Sequence, residues 1–178
     1  MILRDVKQRF FAFRNGLLAD MLRRQGASNH RTIFGLNVPQ LREIAAQAGV
    51  DPELAELLWA DADVRESRLL APMVSPPVAE AFSRMDQVQT AEEADILCHS
   101  LLRRCPGALN AAEARLNAPQ PLVQYCALRL LLNLAMNSAQ ARAAIPALLA
   151  ELKPLNSANS GLADRLRQLL ADYEENAL

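Results

Sequence analysis

Aromatic side chains, glycine and β-branched residues are all scarce in this chain, and no stretch alternates apolar with polar for long. Those shortages count against a sheet, which needs period-2 patterning and residues that fit a pleated surface. Cysteine is equally sparse: Cys98, Cys105 and Cys126 are odd in number and form no Cys-x-x-Cys pair. They read as reduced thiols rather than a disulfide framework, and no zinc signature is present. There is no glycine-rich phosphate loop and no recognisable Ser–His–Asp motif. No apolar run reaches membrane-spanning length, and Met1-Ile2-Leu3-Arg4-Asp5 turns charged at once. The expectation is a soluble cytoplasmic protein without signal peptide or membrane contact, working as a monomer. No metal and no cofactor is expected.

Leucine and alanine dominate, and hydrophobic residues make up 51% of the 178 positions. That length suits a single domain, residues 1–178, with a real core. The composition favours helix, and apolar residues recur at threes and fours between well-marked breaks. Asp51-Pro52 and Ser75-Pro76-Pro77 place a capping residue before proline, and Thr90-x-x-Glu93 is a capping box. Pro106-Gly107, Asn117-Ala118-Pro119, Pro154 and Ser160-Gly161 are further breaks. Helices are predicted near 3–14, 16–25, 38–48, 52–60, 63–73, 77–86, 91–104, 107–116, 120–135, 139–152 and 159–173. A weak repeat links the segments starting at Asp63, Pro121 and Gly161, the last two about 40 residues apart, as in HEAT repeats. The predicted fold is all-α: a HEAT-like or ARM-type superhelix of antiparallel helix pairs.

Charge is uneven. The net value is −1, yet residues 1–50 carry eight cationic against three acidic side chains, +5, leaving −6 for residues 51–178. Lys7 and Lys153 are the only lysines; all other cations are arginine, which suits bidentate phosphate contacts. Phe10, Phe11 and Phe13 share a helix with Lys7, Arg9 and Arg14, a mixture that fits nucleic-acid binding or plain core packing. Trp59, at a helix end after Leu57-Leu58, reads as a core anchor.

Two helices carry candidate chemistry. On a helical wheel, Ala91, Ala94, Leu97, Cys98, Leu101, Leu102 and Cys105 form an apolar arc, with Glu92, Asp95, His99 and Arg103 beside it. Asp95 and His99 are four apart and can touch. They read either as a catalytic carboxylate oriented by histidine or as a surface ion-pair cluster. Asp95, Cys98 and His99 span both arcs, with no fourth ligand for a metal. The helix at 120–135 is apolar nearly all round except for Tyr125, Arg129 and Asn133, each four apart. That stripe either lines a groove, with Arg129 on a phosphate and Tyr125 stacking, or is a buried hydrogen-bonded seam.

Phe34-Gly35-Leu36-Asn37-Val38-Pro39-Gln40-Leu41-Arg42-Glu43-Ile44-Ala45 resembles a segment of AlkD-type DNA alkylation repair proteins, G-V/L-x-x-P-x-L-R-x-I-A. Leu57-Leu58-Trp59 and Arg65-Glu66-Ser67-Arg68-Leu69-Leu70-Ala71 resemble the family's following L-W and H-E-x-R-x-x-A stretch, with Arg65 where histidine is common. The resemblance runs from about residue 30 to 135 and more faintly to 173. It implies a HEAT-like solenoid that cradles duplex DNA on a concave cationic face. It also implies excision of N3- and N7-alkylated purines with the base still stacked. Asp95 then matches the catalytic acid, which would stabilise an oxocarbenium-like sugar and position water. The tryptophan expected one turn earlier falls on Ala91, and the family's arginine falls on or near Tyr125, with Arg129 one turn beyond. The second tryptophan would fall near 160–168, where there is none.

The function this implies is duplex DNA binding within the alkylation repair family, with efficient excision not expected. Asp95 is the candidate catalytic residue; Arg129, Tyr125, Arg103, Arg104 and His99 are candidate DNA contacts. The alternative is a catalytically inactive HEAT-repeat scaffold for a protein partner, which the near-neutral net charge favours.

Overall fold

A computed structural model describes residues 1–25, 29–150 and 160–176. Those residues are all-helical apart from one isolated β-bridge, Thr32 to Val64. Within the stretch read as one domain, the chain packs as two compact units, Met1–Pro77 and Val78–Leu178.

The first unit holds α1 (Leu3–Ala12), α2 (Gly16–Arg24), α3 (Val38–Ala48), α4 (Pro52–Ala60) and α5 (Arg65–Val74). Side-chain caps start three of them. Asn15 accepts the Leu18 N–H at 3.1 Å, and Asp51 accepts that of Leu54 at 3.0 Å. Asn37 and Gln40 form a reciprocal capping box at the head of α3. At the centre lies α5, packed on α3 and α4, and every residue from Arg65 to Pro72 is buried.

That burial includes charge. Glu66 is fully buried, and its carboxylate accepts the backbone N–H groups of Phe34, Gly35 and Leu36 at 3.0, 2.9 and 3.3 Å. Arg65 donates to Glu66 at 2.9 Å and to the Leu36 carbonyl at 3.0 Å. A buried carboxylate holds only when donors and a counterion replace water, and both come from residues 34–36 and Arg65. Gly35 makes the turn possible. Its φ is +81°, and a Cβ there would lie 2.1 Å from the Asn15 carbonyl oxygen. Arg68 stacks its guanidinium 3.5 Å from the Trp59 ring centre and donates to the Trp59 carbonyl at 2.9 Å. Trp59 is thus a buried anchor, as its position predicts.

The second unit begins with a 3-10 stretch, Ala79–Gln87, followed by α6 (Ala91–Ser100) and a 3-10 turn, Leu102–Arg104. Then come α7 (Ala108–Glu113), α8 (Pro121–Ala135), α9 (Ala139–Ala150) and α10 (Ser160–Asn176). At its centre is α8, which packs against α6, α7, α9 and α10.

Three local expectations are corrected. Ser75 does not start a helix: it closes α5, its hydroxyl donating to the Ala71 carbonyl at 2.7 Å. The helix expected at 77–86 is a 3-10 stretch, where the buried pairs Ala81/Arg84 and Met85/Val88 recur at three. The helix expected at 91–104 breaks at Leu101, with φ −126° and ψ −67°. Leu101 and Leu102, on either side of the break, are both fully buried. The break at Pro154 lies outside the described residues. No described helix is long and apolar enough to cross a membrane.

Glu66→Ala strands three N–H groups and Arg65, and is expected to cost about 3–5 kcal/mol in urea unfolding. Gly35→Ala meets both the positive φ and the Asn15 carbonyl, and is expected to cost about 3 kcal/mol or more. A loss below about 1 kcal/mol for Glu66→Ala would show that residues 34–36 hold without the carboxylate.

Candidate functional site

Thr90 starts α6 by accepting the Glu93 N–H at 3.1 Å, while the Glu93 carboxylate reaches back to the Gln89 N–H at 2.9 Å. The box forms, shifted by one residue on its return leg. It orients the helix so that Ala94, Leu97 and Cys98 are fully buried. Asp95 is left at the margin of the buried face, 18% exposed.

Two other helices reach Asp95. From α8, the buried Tyr125 donates its hydroxyl to Oδ1 at 2.7 Å. From α10, Arg165 donates through Nη2 to Oδ2 and through Nε to the Tyr125 hydroxyl at 3.1 Å. Leu162 and Leu166 are buried on either side of Arg165 and seat α10 against α8. Arg129 completes the set. Its Nε lies 3.4 Å from Oδ1, near enough for charge attraction, yet that nitrogen is buried without a hydrogen-bond partner. Two guanidiniums therefore face one carboxylate, and both carboxylate oxygens are engaged.

Burial, then the charge of Asp95 and the hydrogen bond to it, hold the Tyr125 phenol well above its usual value, against the pull of Arg165. The phenol stays protonated and acts as a donor. Cys98 turns away from this cluster, its Sγ 3.5 Å from that of Cys126, with both residues buried. Burial, then the contact with Cys126, pushes the Cys98 thiol well up, so it is a neutral core group. Among the described residues no three metal-binding side chains gather.

The structure thus brings together Asp95, Tyr125 and Arg129 and adds Arg165, which sequence reasoning missed. Arg165 sits 70 residues from Asp95, and nothing in the chain between them signals the pairing. His99 lies half-buried in the last turn of α6. Arg103 and Arg104 leave the Asp95 face, because α6 ends before them. They line a separate cavity of about 330 Å³ with Asn133, Leu134, Asn137 and Ser138. The aromatics of the first unit divide: Phe10 is buried, its ring 5.8 Å from that of Phe34, while Phe11 is exposed under the Arg14 guanidinium. One face of the Trp59 ring is taken by Arg68. No family model, no curated protein and no solved structure matches the chain.

The Tyr125 proton is held more tightly in the folded than in the unfolded chain. Its contribution to stability is therefore intact below the unfolded tyrosine value of about 10, and is lost as pH rises toward the folded one. Thermal melts from about pH 8 to 11 are expected to fall more steeply for the wild type than for Tyr125→Phe. Parallel curves would show that the phenol is not clamped.

Proposed function

We propose that this chain is a divergent protein of the DNA alkylation repair type, a HEAT-like solenoid that binds duplex DNA through its backbone phosphates and excises alkylated bases poorly or not at all. The observation that carries this reading is the state of Asp95. A carboxylate that stabilises a cationic sugar and positions water needs an open acceptor facing the substrate. Asp95 instead spends both oxygens on Tyr125 and Arg165, with Arg129 alongside. The cluster carries two positive charges against one negative, the wrong sign for an oxocarbenium ion and the right one for a phosphodiester. Ala91 adds nothing electron-rich to contact a sugar.

In this reading Arg129 and Arg165 hold backbone phosphate, with Tyr125 as their positioning residue. Arg103, Arg104 and His99 are further contacts along the same unit. A HEAT-like arrangement of the helix pairs fits the central position of α8 and the weak repeat, and belongs to the same proposal. The scaffold reading has its own support in the exposed apolar residues Ile2, Phe11, Leu17 and Met21 on α1 and α2, which suit a protein partner.

Fluorescence anisotropy on a short duplex tests the two. Affinity is expected to fall steeply with salt, and Arg129→Ala to reduce the slope of log K against log salt by about 1. Absent or salt-insensitive binding favours the scaffold. On 7-methylguanine DNA, wild type and Asp95→Asn are expected to release base equally, at background. Release by the wild type that Asp95→Asn abolishes would restore Asp95 as the catalyst.

A further inference from the structure

The polar stripe of α8 does not end at Asp95. One turn beyond Arg129, Asn133 lines the cavity that also holds Arg103, Arg104, Asn137 and Ser138. Arg103 and Arg104 are exposed on the 3-10 turn created by the break at Leu101. Arg103 has no charged or hydrogen-bonded partner among the described residues. The Asn133 Nδ2 is buried and has no acceptor, an uncommon condition for a donor inside a folded chain. Ser138 accepts the Ala141 N–H at 3.2 Å and so caps α9, which sets the positive end of that helix beside the cavity. Among the described residues lining it, none is acidic.

The lining therefore offers two guanidiniums, two carboxamides, a hydroxyl and a helix start. A cation is repelled by the two guanidiniums, and an apolar ligand leaves them without a counterion. A tetrahedral anion with several acceptor oxygens can be met by the two guanidiniums and the helix start together, although Arg104 already donates to the Ser100 carbonyl. At about 330 Å³ the space exceeds what one phosphate fills, leaving room for the group that carries it.

The geometry points to a phosphate-binding site in this cavity, taking a phosphate monoester or a phosphate of a nucleic-acid strand, with Arg103 and Arg104 as charge partners and the start of α9 beside them. The site stands on its own lining and does not depend on the reading of Asp95 or of duplex binding.

The test is titration of the ¹⁵N-labelled chain with inorganic phosphate at constant ionic strength, with sodium chloride as control. Saturable shifts are expected in the Asn133 side-chain amide and in the backbone N–H groups of Ser138 and Ala139. Arg103→Gln with Arg104→Gln, both at exposed positions, is expected to weaken binding about tenfold or more. Shifts that never saturate, that chloride reproduces, or that survive the double arginine variant overturn the site. A nucleoside monophosphate and a duplex without terminal phosphates separate the sources. Shifts with both assign internal strand phosphates as well as monoesters; shifts with the monophosphate alone assign a monoester site. Phosphate binding without duplex binding keeps this site and removes the DNA reading. Duplex binding without a response at Asn133 removes this site and keeps the other.

Discussion

A carboxylate withdrawn from water must be met by donors, and each unit of this chain is organised around that demand. In the first, Glu66 is fully buried on the central helix α5, and its oxygens draw in the N–H groups of residues 34–36 and the Arg65 guanidinium. In the second, Asp95 draws Tyr125 from α8 and Arg165 from α10. Removing either acid would leave cationic and N–H groups facing each other without an acceptor. The desolvation cost of such a group far exceeds the net worth of one ordinary hydrogen bond. The two sites differ in what remains outside. Glu66 is sealed, whereas the Asp95 cluster opens to solvent through Arg129 and Arg165, 27% and 48% exposed.

Several of the residues that carry the resemblance to alkylation repair proteins are buried in the first unit. Glu66, from one resembling stretch, accepts the N–H groups of Phe34, Gly35 and Leu36, which open the other. Arg65 is the counterion, and Arg68 covers Trp59. Each of these motif positions has an architectural job in the first unit. A match there speaks to how the chain is built. The chemistry must be read from Asp95 and its neighbours, where the match is thinnest.

Local physics was legible in the sequence, and distant physics was not. Asp51 and Thr90 cap where their side chains can reach an N–H three residues on, a contact that any reader of four residues can see. The stripe Tyr125–Arg129–Asn133 was visible by its spacing, but its purpose was not. Arg165 lies 70 residues from the acid it binds, and its own helix shows only an amphipathic pattern. The break at Leu101 was hidden for a different reason. No glycine or proline lies between Thr90 and Cys105, so a stretch whose residues all suit continuous helix gives no local sign of the break.

That break decides where Arg103 and Arg104 stand in the second unit. Had α6 run on to residue 104, Arg103 would fall on the Asp95–His99 face and join one crowded cluster. Instead it lines a cavity with Asn133, one turn along α8 from Arg129, a rise of about 6 Å. A nucleic-acid strand supplies phosphates in series, and a small phosphate ester supplies one. Under the proposed reading a strand would engage the Asp95 cluster and the cavity together, with the avidity of a linked pair, while a monoester would fill the cavity and leave the Asp95 cluster unchanged.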